Sequence, residues 1–453
     1  MSFFLKHECK HVRKLTLGNN AVLVVGGGIA GIQASLDLAD RGLTVYLVEK
    51  SASVGGRMAQ LDKTFPTMDC SICILAPKMI ECFRHQNIKL LTCSEVKKVT
   101  GSAGNFRVKV LKNPRFVDAE KCTGCGACTE KCPVKVPSEF DMGMGMRKAI
   151  YMPFPQAVPR VAIIDKDHCL YFLKGVCRVC EKFCQAKAIN FDQKPEEITL
   201  NVSSVILATG SELYDPTSIS EYGYKRHKNV LLSLQFERLI NASGPTRGKL
   251  LRLSDNNHPR RIVFIQCVGS RTQQKGVPYC SSVCCMYATK EAILIREHEP
   301  ECEVYILYMD LRVFGKRFQE FVSRARDEWG VKYINGRASA VIEDPATKDL
   351  LVRYENIMGG KIEELRADLV VLCPALIPRE DNKALAKILG LELNEYGFFK
   401  TKDPLLMSVE THVEGVFVCG YCQTPKDISE SVTQASAAAA RAAEVAVSAV
   451  VGE

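Results

Sequence analysis

Apolar positions recur along this chain in two rhythms, and each change of rhythm marks an element. Residues 21–25, AVLVV, are apolar without interruption and run into Gly26-Gly27-Gly28. A short apolar run closed by glycine predicts a buried parallel strand. IQASLDLADRG then spaces its apolar residues as a helix does, and TVYLVEK is a second strand closing on Glu49 and Lys50. FRVKV at 106–110 alternates with period two, and ITLNVSSVILATG at 198–210 predicts further strand ending in Ala208-Thr209-Gly210. From about 219 to 375 the alternation resumes: RRIVFIQCVGS as strand, SSVCCMYATKEAILIREHE as helix, EVYILYMD as strand, FGKRFQEFVSRARDEWG as helix and DLVVLCPAL as strand. GVFVCG is a last strand, and the small-residue helix after YCQTPKDISESVTQAS closes the chain's periodic part. Alternating strands and helices make this an α/β protein built from two such units.

The segment from about Pro114 to Pro195 breaks that alternation and reads as an inserted domain. The expected organisation is a polar arm at 1–20 and a discontinuous nucleotide-binding domain at 21–113, 195–218 and 376–453. The insert occupies 114–194, and the second α/β unit occupies 219–375.

The first glycine turn carries chemistry. Gly26, Gly28 and Gly31 fit G-x-G-x-x-G, with small Ala30 between. The first glycine permits the turn, the second lets a pyrophosphate reach the backbone, and the third lets helix and strand pack closely. Helix amide ends hold the phosphates. Glu49 stands about 20 residues on, where a carboxylate accepts from a ribose hydroxyl. The corresponding turn of the second unit, Cys267-Val268-Gly269-Ser270, lacks the glycines. A nicotinamide phosphate seat is therefore not expected there.

Length and charge narrow the class. A chain of 453 residues holds several domains, and 47% hydrophobic with 25% charged residues argues against disorder. The formal charge of +9 is scattered and has no aromatic–basic interleaving. It points to an acidic protein partner before nucleic acid. MSFFLKHECKHVRK has no signal-peptide core, and no run reaches the roughly 18 apolar residues of a membrane span. A cytoplasmic protein is expected. The C-terminal ASAAAARAAEVAVSAVV carries Arg441 and Glu444 and predicts a packed helix.

Cysteine changes the picture most, with 21 in the chain. In a reducing compartment such density means metal or redox chemistry. Cys122-x-x-Cys125-x-x-Cys128-x-x-x-Cys132-Pro133 is the bacterial ferredoxin run. Cys169-x7-Cys177-x-x-Cys180-x-x-x-Cys184 repeats it with a lengthened first gap. In two-cluster ferredoxins the fourth cysteine of each run serves the other cube. Cys122, Cys125, Cys128 and Cys184 are thus expected to hold one cluster. Cys169, Cys177, Cys180 and Cys132 are expected to hold the other. Zinc is the alternative that the Cys-Pro ending and the paired runs disfavour. Between the runs, MGMGMRKAIYMPFPQAVP is a contact loop or core filling. Cys70-x-x-Cys73, with Cys82, Cys93 and Cys9, is open between a further cluster, a flavin lining and buried thiols. Cys267, Cys280, Cys284 and Cys285 match no standard spacing, and composition alone leaves them open between cluster ligands and buried thiols.

Taken together, GGGIAGIQASLDLADRG, VGGRMAQLDKTFPTMDCSICILAPK, the two-cluster insert, CVGSR…YCSSVCC and GYCQTPKDISESVTQAS resemble the HdrA family. These are the flavin subunits of heterodisulfide reductases. The resemblance runs from about residue 21 to 440. It implies a thioredoxin-reductase-like fold with FAD, an inserted ferredoxin domain, and a third 4Fe–4S cluster on Cys267, Cys280, Cys284 and Cys285. It implies that Gly55, Gly56 and Arg57 lie near the flavin pyrophosphate, as in two-dinucleotide flavoproteins. It also implies that the helix after Gly420, from about Ile428, faces the flavin. The long family members carry an N-terminal cluster domain and a C-terminal ferredoxin domain that are not matched here. The short form also resembles QmoA, the flavoprotein of quinone-interacting oxidoreductase complexes.

The resemblance implies a converter: FAD takes an electron pair, and one-electron clusters divide it. The Cys267 cluster is expected as the first step. Lys290, after Cys284 on the same helix, is a candidate to touch the flavin and favour its anionic reduced form. The partners implied are HdrB/HdrC-like subunits and a small iron–sulfur input protein (MvhD-like), or a donor hydrogenase or dehydrogenase. Ferredoxin follows if the flavin bifurcates, and a homodimer within a larger complex is expected. A stand-alone NAD(P)H reductase is the rival that the missing glycines disfavour.

Overall fold

The computed structural model describes residues 20–451, so most of the predicted polar arm, with His7, Cys9 and His11, lies outside the described residues. The first sheet has five parallel strands in the order Val416–Val418, Ser204–Leu207, Ala21–Val25, Thr44–Val48 and Ile88–Leu91. Ala21–Val25 is central, and all five of its residues are buried. That is why its apolar run is unbroken: the alternating side chains feed two different cores. Val22 and Val24 pack with the helices Ile29–Ala39, Ser71–Arg84 and Ile428–Val451. Leu23 and Val25 pack against a three-stranded antiparallel sheet. Ala34, Ala438 and Ala442 are fully buried, and their small side chains let the first and last helices approach closely.

The three-stranded sheet is ordered Glu196–Val202, Asn105–Lys112, Ser94–Ser102. Lys112 pairs with Glu196. The chain therefore leaves this sheet and re-enters it at one place, with residues 113–195 between. The strand expected at 198–210 is two strands in two sheets. The break is Ser203, whose N–H and hydroxyl donate to the Ala21 carbonyl at 2.8 and 2.9 Å.

The second unit is a seven-stranded sheet ordered Val230–Leu232, Leu369–Pro374, Arg261–Val268, Glu303–Tyr308, Lys332–Glu343, Leu350–Asn356, Lys361–Ala367. Its first five strands are parallel. Helices Ser233–Ile240, Cys284–His298 and Phe318–Asp327 share a core with one face.

The insert is made of short pieces, helices Ala127–Lys131, Leu170–Lys174 and Val179–Lys182 and two small hairpins. Its core is unusual in counting Cys128, Cys132 and Cys180 among its buried members, with Cys122, Cys169 and Cys184 packed against them. The Met- and Pro-rich loop is a contact segment. Gln60 Nε2 donates to the Phe140 carbonyl at 2.8 Å, and Val54 N–H donates to the Val158 carbonyl at 3.0 Å. Gln235 Nε2 donates to the Met142 carbonyl at 3.1 Å, and Arg238 pairs with Asp141 at 3.0 Å. Met144 packs on the second unit's core, so one of its methionines does fill core space. The loop thus ties the insert to both α/β units.

Candidate functional site

The glycine turn divides its labour as the fingerprint predicts. Gly26 has φ 111°, and a Cβ on it would lie 2.3 Å from the Ala208 carbonyl oxygen. A Cβ on Gly31 would lie 1.8 Å from the Gly26 carbonyl oxygen. Those two positions are closed by neighbouring backbone. Gly28 is different: nothing lies within 4 Å of where its Cβ would be, and its φ of −76° suits any residue. It borders open space. Helix Ile29–Ala39 begins there with no side-chain cap and no acidic residue in its first turn. Free amides and no negative charge make a seat for an anion.

That space is one cavity of about 1010 Å³. The predicted cofactor residues line it except Gly31 and Gly55, which pack behind the turn. Gly55 N–H donates to the Gly27 carbonyl at 2.7 Å. Gly56, φ 56°, comes so close that a Cβ would sit 2.9 Å from the Gly28 Cα. Glu49 accepts from Gly27 N–H at 2.6 Å and Ser51 N–H at 2.7 Å, which fixes its carboxylate at the rim. Lys50 pairs with Asp381 at 3.3 Å. Arg57 lines the cavity beside Arg379, and desolvation and then that second guanidinium hold it below its ordinary range. Two arginines lining the cavity into which an uncapped helix start opens suit a pyrophosphate.

Several wall residues had no signal in the sequence. Phe140 and Phe154, stacked at 4.6 Å, give the insert an aromatic face on the cavity. Lys426 is 9% exposed and donates to the Gly420 carbonyl, Gln423 Oε1 and the Thr424 carbonyl at 3.2, 2.9 and 3.1 Å. Burial pulls its amine down to about 8. Beside it, helix Ile428–Val451 starts differently from the first helix. Asp427 and Glu430 cap it reciprocally at 2.8 Å, so those amides are taken and the positive charge comes from Lys426. Lys290 is neither solvated nor free. It lines the cavity, ion-paired with Glu237, and donates to the Lys63 carbonyl at 3.1 Å.

The cysteines fall into groups. Cys132, Cys169, Cys177 and Cys180 surround one small cavity in the insert. The seven-residue gap holds helix Leu170–Lys174, closed by Gly175 at φ 68°, which brings Cys169 back beside its run. Burial raises the Cys128 thiol, and neighbouring Cys122 and Cys184 raise it further. Cys125 stands exposed at the edge. In the second unit the end of strand Arg261–Val268 is irregular, and Cys267 adopts φ 58°. Cys284 and Cys285 open the helix Cys284–His298. The neighbouring Cys267 and Cys285 thiols, together with burial, hold Cys284 well above the ordinary thiol value. The Cys284 thiol beside it lowers Cys285 to about 7. Arg312 N–H reaches the Cys285 sulfur at 3.5 Å, and Ser282 N–H reaches that of Cys280 at 3.4 Å. A helix start suits thiolates, so adjacent cysteines can serve one site. Among the described residues no three His, Cys, Asp or Glu side chains close on a single point as one bare ion needs. A cube instead takes its thiolates on separate irons.

Cys70 and Cys73 are joined as a disulfide at the start of helix Ser71–Arg84. In that state neither sulfur can ligate the fourth cluster expected as an alternative. Cys82 and Cys93 are buried thiols, and burial raises Cys82 to about 12. At the second unit's turn, a Cβ on Gly269 would strike the Tyr214 ring at 2.3 Å. Val277 N–H donates to the Gly269 carbonyl at 2.8 Å. Tyr214 and Val277 thus pack directly against this turn.

Residues 160–442 match the model for pyridine nucleotide-disulphide oxidoreductases, 21–113 that for FAD dependent oxidoreductases, and 115–138 that for 4Fe-4S binding domains. The chain is 54% identical over 427 residues to the iron-sulfur A component of the CoB–CoM heterodisulfide reductase of Methanocaldococcus jannaschii, covering 94% of this chain and 64% of that one. It is 52% identical over 425 residues to the A component of the H2:CoB-CoM heterodisulfide,ferredoxin reductase of Methanothermobacter marburgensis, with the same coverage of 94% and 64%. It thus spans just under two thirds of the length of these relatives. Among solved structures, the thioredoxin reductases of T. acidophilum and Lactococcus lactis align at TM-scores of 0.53 and 0.52, each at 15% identity. They cover 94% and 96% of this chain and 99% and 100% of their own, and they show the fold to be thioredoxin-reductase-like. With one family model spanning more than half its length, the chain belongs to the pyridine nucleotide-disulphide oxidoreductase family and is an oxidoreductase.

Proposed function

We propose that the chain is the electron-converting subunit of a heterodisulfide-reductase-like complex, with one FAD in the large cavity and three 4Fe–4S clusters. The observation that carries this is the shared wall. The cavity that begins at the glycine turn is also lined by the insert's Phe140 and Phe154 and by the second unit's Lys290. Both cysteine-bearing units therefore border the same space. FAD supplies exchange between an electron pair and single electrons. Gly28 and Arg57 would hold its phosphates and Glu49 its ribose, and the walls supplied by the two cysteine-bearing units would remain for the ring.

The clusters are assigned to Cys122, Cys125, Cys128 and Cys184; to Cys132, Cys169, Cys177 and Cys180; and to Cys267, Cys280, Cys284 and Cys285. The flavin-binding domain keeps the limits 21–113, 195–218 and 376–453, with the insert at 114–194 and the second unit at 219–375. HdrB/HdrC-like acceptors, an MvhD-like or dehydrogenase donor, and bifurcation toward ferredoxin belong to the same reading, as does work in the cytoplasm. No helix among the described residues is long and apolar enough to cross a membrane. The test is cofactor content of anaerobically purified protein. About twelve irons and one FAD per chain are expected. Eight irons or fewer, or no FAD, would overturn the assignment. NADH is expected not to bleach the flavin, because Tyr214 and Val277 pack against the second turn.

A further inference from the structure

One wall of the cavity carries an acid that electron transfer alone does not use. Glu291, on helix Cys284–His298, lines the cavity, is 1% exposed, and its Oε2 has no hydrogen-bond partner among the described residues. Leaving a buried polar atom unpaired carries the full cost of taking it out of water. An acid held at that cost beside a cofactor cavity invites a role toward what the cavity holds.

Its neighbours define the role. Glu237, from helix Ser233–Ile240, faces Glu291 and is ion-paired with Lys290. From the flavin-binding unit, Asp62 N–H donates to Glu237 Oε2 at 2.9 Å, and Lys63 stands beside it, paired with Glu297 at 3.0 Å. Tyr287 and Cys373 are the remaining titratable groups close by, and His298 faces Asp62. Two carboxyls thus share one buried ammonium. In such surroundings both cannot ionise. Glu237 holds the ion pair, and Glu291 keeps its proton. Burial first and then Glu237 lift Glu291 well above the usual carboxyl range. Asp62 is half-buried and is also raised, by desolvation first. Glu291 and Glu237 are neighbouring carboxyls of the cavity wall, and Asp62, whose N–H bonds Glu237, has its own carboxyl in a half-exposed position where it accepts from Asn241 Nδ2 at 2.9 Å.

We propose that Glu291 donates the proton that the bound flavin takes up on reduction, and that Glu237 and Asp62 refill it from solvent. This rests on the cavity holding FAD. Iron–sulfur centres deliver electrons without protons. Two electrons from two reduced clusters and one proton from the Glu291 O–H convert oxidised flavin to its anionic reduced form. The two clusters are left oxidised. The resulting carboxylate takes a proton back by way of Glu237 and Asp62, one per electron pair. On reoxidation the proton returns the same way.

The test uses the FAD- and cluster-loaded protein with dithionite as electron source, comparing wild type with Glu291→Gln. FAD content and the visible spectrum are measured first. If wild type binds no FAD, the reading of the cavity fails before the proton question is asked. With FAD bound, Glu291→Gln is expected to slow flavin bleaching tenfold or more and to raise its solvent isotope effect. It is also expected to abolish a protonated-carboxyl stretching band in the infrared difference spectrum of reduction. Unchanged bleaching, or a band that survives the substitution, would overturn the proposal. If Glu291→Gln does not fold, Asp62→Asn at the half-exposed position serves instead. It is expected to slow bleaching at high pH more than at low pH, and a pH-independent rate equal to wild type would overturn it.

Discussion

Lys290 is ion-paired with Glu237, and the two side chains keep only 1% and 2% of their surface exposed. The pair also fastens the two α/β units, because Lys290 donates to the Lys63 carbonyl and Glu237 accepts from Asp62 N–H. Removing one partner of a buried pair strands the other charge, at about 3–5 kcal/mol. Lys290→Ala is therefore expected to lower the unfolding free energy by about that amount. Where FAD remains bound, it should also shift the flavin potential downward, since a cation favours the anionic reduced form. Denaturant melts and a redox titration of the same sample check both. A potential that does not move would remove Lys290 from the flavin's surroundings.

Two glycines of one motif should fail in opposite ways. At Gly31 a methyl group would lie 1.8 Å from the Gly26 carbonyl oxygen, so Gly31→Ala must displace backbone and is expected to destabilise the protein. Overpacking of that kind costs about 1–3 kcal/mol or more. At Gly28 the methyl meets nothing, so Gly28→Val should melt close to wild type yet lose FAD, because the branched side chain fills the phosphate seat. Thermal melts set beside bound-flavin absorbance separate the two. Equal flavin content in Gly28→Val and wild type would place the pyrophosphate elsewhere.

The crossed ligation proposed for the insert makes a paired prediction. Cys132 shares its small cavity with Cys169, Cys177 and Cys180, whereas Cys184 raises Cys128 together with Cys122. Cys132→Ser and Cys177→Ser should thus remove the same cluster, and Cys184→Ser and Cys125→Ser the other. Each should lower the iron content by about four per chain. Low-temperature electron paramagnetic resonance of the reduced variants should give two matching pairs of spectra. Because Cys70 and Cys73 are bonded to each other, Cys70→Ser should leave the iron count as it was. A loss of four irons there would show a fourth cluster.

What the sequence made legible is what is local along the chain. The turn at Gly26 to Gly31 and the runs at Cys122 and Cys169 place their chemistry within a few residues, so spacing alone exposes them. The break at Ser203 was hidden because both strands it separates are apolar in pattern; only the Ala21 carbonyl, which takes two bonds from Ser203, turns the chain into another sheet. Arg379, Lys426, Phe140 and Glu291 reach the cavity from four distant segments. Each is an ordinary residue in its own neighbourhood, and packing alone gives it a role. Cys284 and Cys285 show the same limit, since the thiol that joins them, Cys267, comes from an irregular strand end in another segment.

Lys426 gives a prediction in pH. Burial lowers its amine from the ordinary 10.5 to about 8. A cation whose folded value lies below its unfolded value destabilises the fold wherever both states are charged. That penalty is full below about pH 8, shrinks as the folded amine loses its proton, and is gone above 10.5. The cofactor-free protein is thus expected to gain stability between those two values from this group, and Lys426→Met should flatten the gain. A bound dinucleotide changes the sign of the neighbourhood, because negative charge near the amine favours its protonated form. In the FAD-loaded protein the gain should therefore shrink or vanish, and FAD should bind more weakly as pH rises through the amine's titration. Denaturant melts of both forms across that range, with wild type beside Lys426→Met, provide the measurement. An identical pH slope with and without FAD would mean that Lys426 does not face the cofactor.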